Sequence, residues 1–196
     1  MNKYCVAFTK EEYEESIRLL RSGFRDENGY GIKPNEKIAV IVTLQATLGL
    51  RIGDVLRLRL ADVIKDGDRY RLNINEDKTD KPRRFTVPTE VYVFMQNYAI
   101  ENRIGADLRL FPISSRQVER HLNKVFRQMG LNTLNYGTHS YRKYFSLYIY
   151  ENNNHDIALV QTLLQHSSPS TTRRYITISE DRIETALESA TSNLVL

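Results

Sequence analysis

Between Asn35 and Leu58 the chain reads NEKIAVIVTLQATLGLRIGDVLRL, with Arg51 set inside an otherwise apolar run. Ile38, Ile41, Val42 and Leu48 recur at helical spacing and predict an inward-facing stripe. Asn35 can accept the free amides at the start of such a helix, and Gly49 can end it. A short second helix follows, carrying Ile52, Val55 and Leu56, and Arg51 falls at the junction. A guanidinium in apolar surroundings needs a partner, and Asp54, three residues on, lies within reach. The pair can be no more than a structural ion pair. Alternatively Asp54 holds Arg51 so that its planar fork meets a phosphate, for which two parallel donors are well matched. Composition does not separate the two.

Upstream, Thr9 and Glu12 have capping-box spacing, and Tyr13, Ile17 and Leu20 predict a first helix ending near Ser22 and Gly23. Gly23, Gly29, Gly31 and Pro34 predict a long, mobile loop over residues 21–35. Downstream, Val63 and Ile64, then the alternating Tyr70, Leu72 and Ile74, then Phe85 and Val87 predict three short antiparallel strands. Turns at Asp66-Gly67 and at residues 76–82 join them. Helical patterns occupy residues 89–103, 115–129, 138–151, 156–165 and 179–190. The fold class expected is α+β, mainly α-helical, with one small antiparallel three-stranded sheet and no internal repeat.

The chain has 196 residues, which suits a single domain of residues 1–196. Lys and Arg number 28 against 24 Asp and Glu, and the pI is near 9.1, a mild sign of a polyanionic partner. The bases gather at residues 78–84, 116–127 and 142–174, which favours one basic face. A single cysteine, Cys5, excludes an internal disulfide framework and a cysteine-cluster zinc site, and points to a reducing cytoplasm. No apolar run has signal-peptide or membrane-spanning length. The glycines fit neither a P-loop nor a dinucleotide fingerprint.

In THSYRKYF, His139 and Arg142 are three residues apart and share a helix face, rooted by Tyr141, Tyr144 and Phe145. Taken alone they fit a surface histidine beside a solvated arginine. A zinc site is disfavoured, since His155 and His166 lack ligand spacing and no carboxylate accompanies His139.

Taken together, the motifs carry more. Arg51 in GLRIGDVLRL, a lysine in a hairpin turn, HSYR, LLQH and a tyrosine nine residues after that histidine stand in this order. The chain so resembles the tyrosine recombinase (phage integrase) family, and FTKEEYEESIRLL is similar to the opening of that family's catalytic domain. The resemblance implies the catalytic-domain fold of that family over nearly the whole chain. Gln165 stands where the family usually has glycine, and Lys143 where a histidine usually follows the second arginine. Most relatives also carry a separate helical DNA-clamping domain, for which too few residues precede Arg51. An excised catalytic domain and a naturally short recombinase similar to the fimbrial-switch invertases both fit.

Carried over by motif, the resemblance implies a catalytic set of Arg51, Lys78, His139, Arg142, His166 and Tyr175. Arg51 and Arg142 would neutralise the scissile phosphate, so that no metal, ATP or other cofactor is required. Tyr175 would attack to form a 3′-phosphotyrosine bond, with His139 accepting its proton or bonding the phosphate. His166 would donate to the phosphate. Lys78, in EDKTDKPRRFTVP, would protonate the departing 5′ oxygen, with Lys81 as the rival. Lys81, Arg83, Arg84, Lys143, Arg173 and Arg174 are candidates for contacting the DNA backbone. Arg116 and Gln117, at the helix start after FPISS, are candidates for reading bases. The expected partners are double-stranded DNA and other protomers in a synaptic tetramer, reached through TISEDRIETALESA, which could equally pack on its own core. A noncatalytic DNA-binding regulator and a type IB topoisomerase are the competing functions.

Overall fold

Thr9 and Glu12 cap the first helix reciprocally: Thr9 Oγ1 accepts from the Glu12 amide at 3.1 Å, and Glu12 Oε2 accepts from the Thr9 amide at 2.9 Å. The helix, α1 (Lys10–Ser22), stops at Gly23, whose φ of 70° lies in the region that L side chains avoid. The computed structural model describes residues 5–76, 82–131, 133, 135–165 and 172.

The stretch that follows departs from the long loop expected. Phe24–Arg25 (β1) and Gly31–Ile32 (β2) pair antiparallel, and Asp26 Oδ1 accepts from the amides of Asn28 and Tyr30 to close the turn. An aspartate bonding backbone two residues on replaces the turn that a glycine count predicts as open loop.

Asn35 Oδ1 accepts from the Ile38 amide and starts α2 (Glu36–Leu48). Ala39, Val40, Ile41, Val42 and Leu44 are each at most 1% exposed, so this helix is buried over most of its surface, leaving Glu36 and Thr47 exposed, and runs through the core. It packs against α1, against α3 (Ile52–Arg57) and against α6 (Thr138–Asn152).

Three antiparallel strands follow, in the order β3 (Val63–Asp66), β4 (Arg69–Asn75) and β5 (Pro82–Val87). The register sets Leu72 opposite Phe85 and Ile74 opposite Arg83, so the alternation turns Leu72, Arg83 and Val87 inward and Asn73 and Arg84 outward. Three further helices, α4 (Thr89–Glu101), α5 (Ser115–Gln128) and α7 (Ile157–Leu164), and a short 3-10 turn at Leu60–Asp62 before β3 complete the described elements. The fold is thus the expected helical one with the three-stranded sheet, plus the small second hairpin. Among the described residues no helix is long and apolar enough to cross a membrane.

Candidate active site

Helix α2 ends because Gly49 turns left-handed, at φ 59° and ψ 28°. A side chain there would also meet the Phe145 ring, 2.5 Å from where a Cβ would sit. The turn places Arg51 as the residue that opens α3, in extended backbone and outside the apolar run. Its partner is not the one the spacing suggested. Arg51 Nη1 lies 2.5 Å from Glu76 Oε2, whereas Asp54 pairs with Arg57 at 3.6 Å. Glu76 stands at the end of β4 and is 2% exposed, while the Arg51 side chain keeps 23% of its surface open.

The other Glu76 oxygen, Oε1, accepts from Arg83 Nη1 at 3.0 Å. Arg83 is 1% exposed, which removes it from the expected DNA-contacting set: it shares the inward side of β5 with Phe85 and Val87. Its Nη2 donates to the carbonyls of Leu48 and Gly49, both at 3.3 Å, and of Leu163 at 2.9 Å. Burial pulls this guanidinium below its ordinary value; the Glu76 carboxylate opposes the shift and the nearby Arg51 adds to it.

Arg142 arrives at the same place from α6. Its Nη1 donates to the Gly49 carbonyl at 2.5 Å and its Nη2 to the Leu164 carbonyl at 3.1 Å. The last carbonyls of α2 and α7 would otherwise lack partners and carry the negative ends of the two helix dipoles. Two buried guanidiniums satisfy them. Arg51 and Arg142, far apart in sequence, therefore meet around one backbone turn, Gly49 to Arg51.

His139 is the second residue of α6 and is exposed. It lines a cavity of about 340 Å³ with Ile52, the residue after Arg51, and with Glu119, Asn123 and Tyr136. Free amides at a helix start favour an anion beside such a residue. Tyr141 is fully buried, its hydroxyl 3.1 Å from Ser16 Oγ, and anchors the helix that carries His139 and Arg142.

Lys78, Lys81, His166, Arg173, Arg174 and Tyr175 lie outside the described residues. The residues next to them are informative. Gln165 caps α7 in the left-handed region at φ 51°, and its Nε2 donates to the Pro82 carbonyl at 3.2 Å. That conformation is the reason glycine suits the position, and the amide bond to the base of the β4–β5 hairpin is what glutamine gains instead.

Lys143, like Arg83, leaves the expected DNA-contacting set. It is 8% exposed and its Nζ donates to the Cys5 carbonyl, which fastens the N-terminal segment. Gln117 is engaged as well: its Oε1 accepts from the Ser114 amide at 2.9 Å and hydroxyl at 3.0 Å, capping α5. Arg116 is exposed at the same helix start. Arg84 is exposed, bonded through Nε to Asn73 Oδ1 at 3.1 Å, and lines a cleft of about 550 Å³ with Arg57, Arg59 and Arg109. Those three arginines were not singled out by sequence, since they come from separate segments.

The model of the phage integrase family matches residues 31–182. The chain is 32% identical over 177 residues to the probable integrase/recombinase YoeC of Bacillus subtilis, covering 88% of this chain and 94% of that protein. To tyrosine recombinase XerH of Campylobacter jejuni it is 26% identical over 158 residues, covering 77% of this chain and 44% of that one. A crystal structure of XerH site-specific recombinase bound to difH substrate, in a pre-cleavage complex, matches with a TM-score of 0.67 at 22% identity, over 95% of this chain and 55% of that chain. The chain thus spans nearly all of the Bacillus relative and about half of the XerH chains.

Proposed function

The chain belongs to the phage integrase family, and from that membership we propose that it cuts and rejoins DNA at a specific site through a 3′-phosphotyrosine intermediate. The observation that carries the reading is the meeting of Arg51 and Arg142 around the Gly49 turn, with His139 beside Ile52.

A phosphodiester resists attack because its own charge repels nucleophiles. Arg51, with its open surface, meets the nonbridging oxygens from the solvent side. Arg142 supplies its charge from the protein side, where a low dielectric strengthens it. His139 takes the tyrosine proton or bonds the phosphate. Tyr175 attacks phosphorus, the bond to the 5′ oxygen breaks, and Lys78 gives that oxygen its proton. The phosphotyrosine bond keeps the energy of the broken linkage, so a 5′ hydroxyl from a second strand reverses the step without ATP. His166 steadies the charged intermediate.

On this reading residues 1–196 form one catalytic domain acting on double-stranded DNA in the cytoplasm. The segment after Tyr175 aligns Ile183, Ala186, Leu187 and Ala190 at helical spacing, and we assign it to docking on a neighbouring protomer in a synaptic tetramer.

The test is covalent capture. Wild-type protein is mixed with a pool of nicked suicide duplexes of randomised sequence, and DNA that survives denaturant on the protein is recovered. A protein–DNA adduct is expected; its absence across the pool would overturn the recombinase reading in favour of a DNA-binding regulator. The captured duplex then separates the two lysines. With a 5′-thio leaving group, which departs without a proton, Lys78→Ala is expected to regain wild-type cleavage. Rescue of Lys81→Ala alone would assign the general acid to Lys81.

A further inference from the structure

We infer that Glu76 is a positioning residue for Arg51, a proposal that rests on the recombinase reading above. Arg51 opens a helix without a side-chain cap, and about a quarter of its surface is exposed. A long side chain in that setting samples many rotamers, and an arginine serves a transition state only when its fork already points at the charge. Glu76 removes that freedom. One carboxylate oxygen lies 2.5 Å from Arg51 and the other 3.0 Å from Arg83. Arg83 is itself fixed, by the carbonyls that end α2 and α7. The two Glu76 oxygens therefore tie the partly open guanidinium to a rigid buried one.

Sharing the carboxylate also sets the charge of the site. Arg51, Arg83 and Arg142 lie around one turn, Glu76 contacts two of them and the buried Asp54 carboxylate acts on Arg83 as well, so three guanidiniums against these two carboxylates leave the group cationic toward an incoming phosphate. The Gly49 and Leu164 carbonyls each accept from both Arg83 and Arg142. A shift of Glu76 would thus be felt at Arg51 first and at the Arg142 bonds through Arg83.

Glu76→Gln tests this, because the amide keeps the shape, loses the charge and turns a donor toward one guanidinium. Glu76→Asp is the companion; it keeps the charge but withdraws the carboxylate by one methylene, so it cannot reach both arginines. Single-turnover cleavage of the captured duplex is measured for both, for wild type and for Arg51→Ala, on an ordinary scissile phosphodiester and on a methylphosphonate. The methylphosphonate has no negative charge to neutralise, so it relieves the need for a well-placed Arg51.

On the phosphodiester, Glu76→Gln and Glu76→Asp are expected to cleave about 10- to 100-fold slower, the size of a misplaced catalytic group. DNA affinity should be unchanged. On the methylphosphonate their deficit should shrink in parallel with that of Arg51→Ala. A deficit of equal size on both substrates would mean that Glu76 merely supports the fold, and faster cleavage would mean that it restrains Arg51; either overturns the assignment. Should Glu76→Gln fail to fold, Glu76→Asp alone decides by the same comparison. Failure of wild type to cleave any duplex overturns the recombinase reading and this assignment with it, whereas a cleaving wild type matched by both variants overturns only the role of Glu76.

Discussion

Tyr175→Phe is expected to abolish the covalent protein–DNA adduct while DNA binding, measured on the same duplex, is retained. The substitution deletes one oxygen, the atom that would bond phosphorus. A phenol titrates near 10, so cationic neighbours would make its phenolate accessible as a nucleophile. Loss of a covalent nucleophile costs about 10⁶-fold in a serine protease, and a loss of that order leaves nothing for denaturing capture to detect. Affinity should survive because it comes from basic side chains meeting phosphates along the duplex, not from the tyrosine hydroxyl. An adduct that persists in the variant would assign the nucleophile to a different residue. Loss of binding together with the adduct would assign the hydroxyl to holding DNA rather than to attack on phosphorus.

The sequence showed helix starts and stops well because each depends on a few adjacent residues. Thr9 with Glu12, Asn35 and Gly49 all act where local chemistry put them. Strand parity was equally legible in Leu72 and Val87, and it held the information that Arg83 faces inward: Phe85 and Val87 stand two and four residues from it on the same side. Reading the basic run as a surface overlooked that parity. The partner of Arg51 was harder to see. Asp54 is the only acid that helix spacing brings near, whereas Glu76 arrives through the sheet register, 25 positions along the chain. Lys143 posed the same difficulty, since its acceptor is a backbone carbonyl at Cys5. Motif order suggested which residues to examine, while the contacts that hold Arg51 and Arg142 are tertiary and leave no local pattern.

Arg142 gives the sharpest separation of chemistry from stability. In Arg142→Ala, the hydrogen bonds to the Gly49 and Leu164 carbonyls, two among the described residues, and the packing of a fully buried side chain disappear together. Arg83 still donates to the Gly49 and Leu164 carbonyls, so neither is orphaned. The expected loss is about 2–4 kcal/mol, which lowers the melting temperature by about 5–15 °C in a domain of this size. Cleavage should fall by about 10²–10³-fold or more, as when one transition-state donor is removed. Both effects in one variant prove little, because a loosened site also cleaves slowly. Arg142→Lys separates them. An ammonium keeps the charge and can hold one of the two carbonyls, so its melting temperature should lie well above that of the alanine variant. An ammonium cannot hold the Gly49 and Leu164 carbonyls together as the guanidinium fork does, so its charge is no longer fixed in place and its cleavage should stay nearly as low. Were the lysine variant to cleave within about tenfold of wild type, charge alone would be what the site needs from this position. Were the alanine variant to cleave at the wild-type rate, Arg142 would be a structural cap for α2 and α7 and no part of the chemistry.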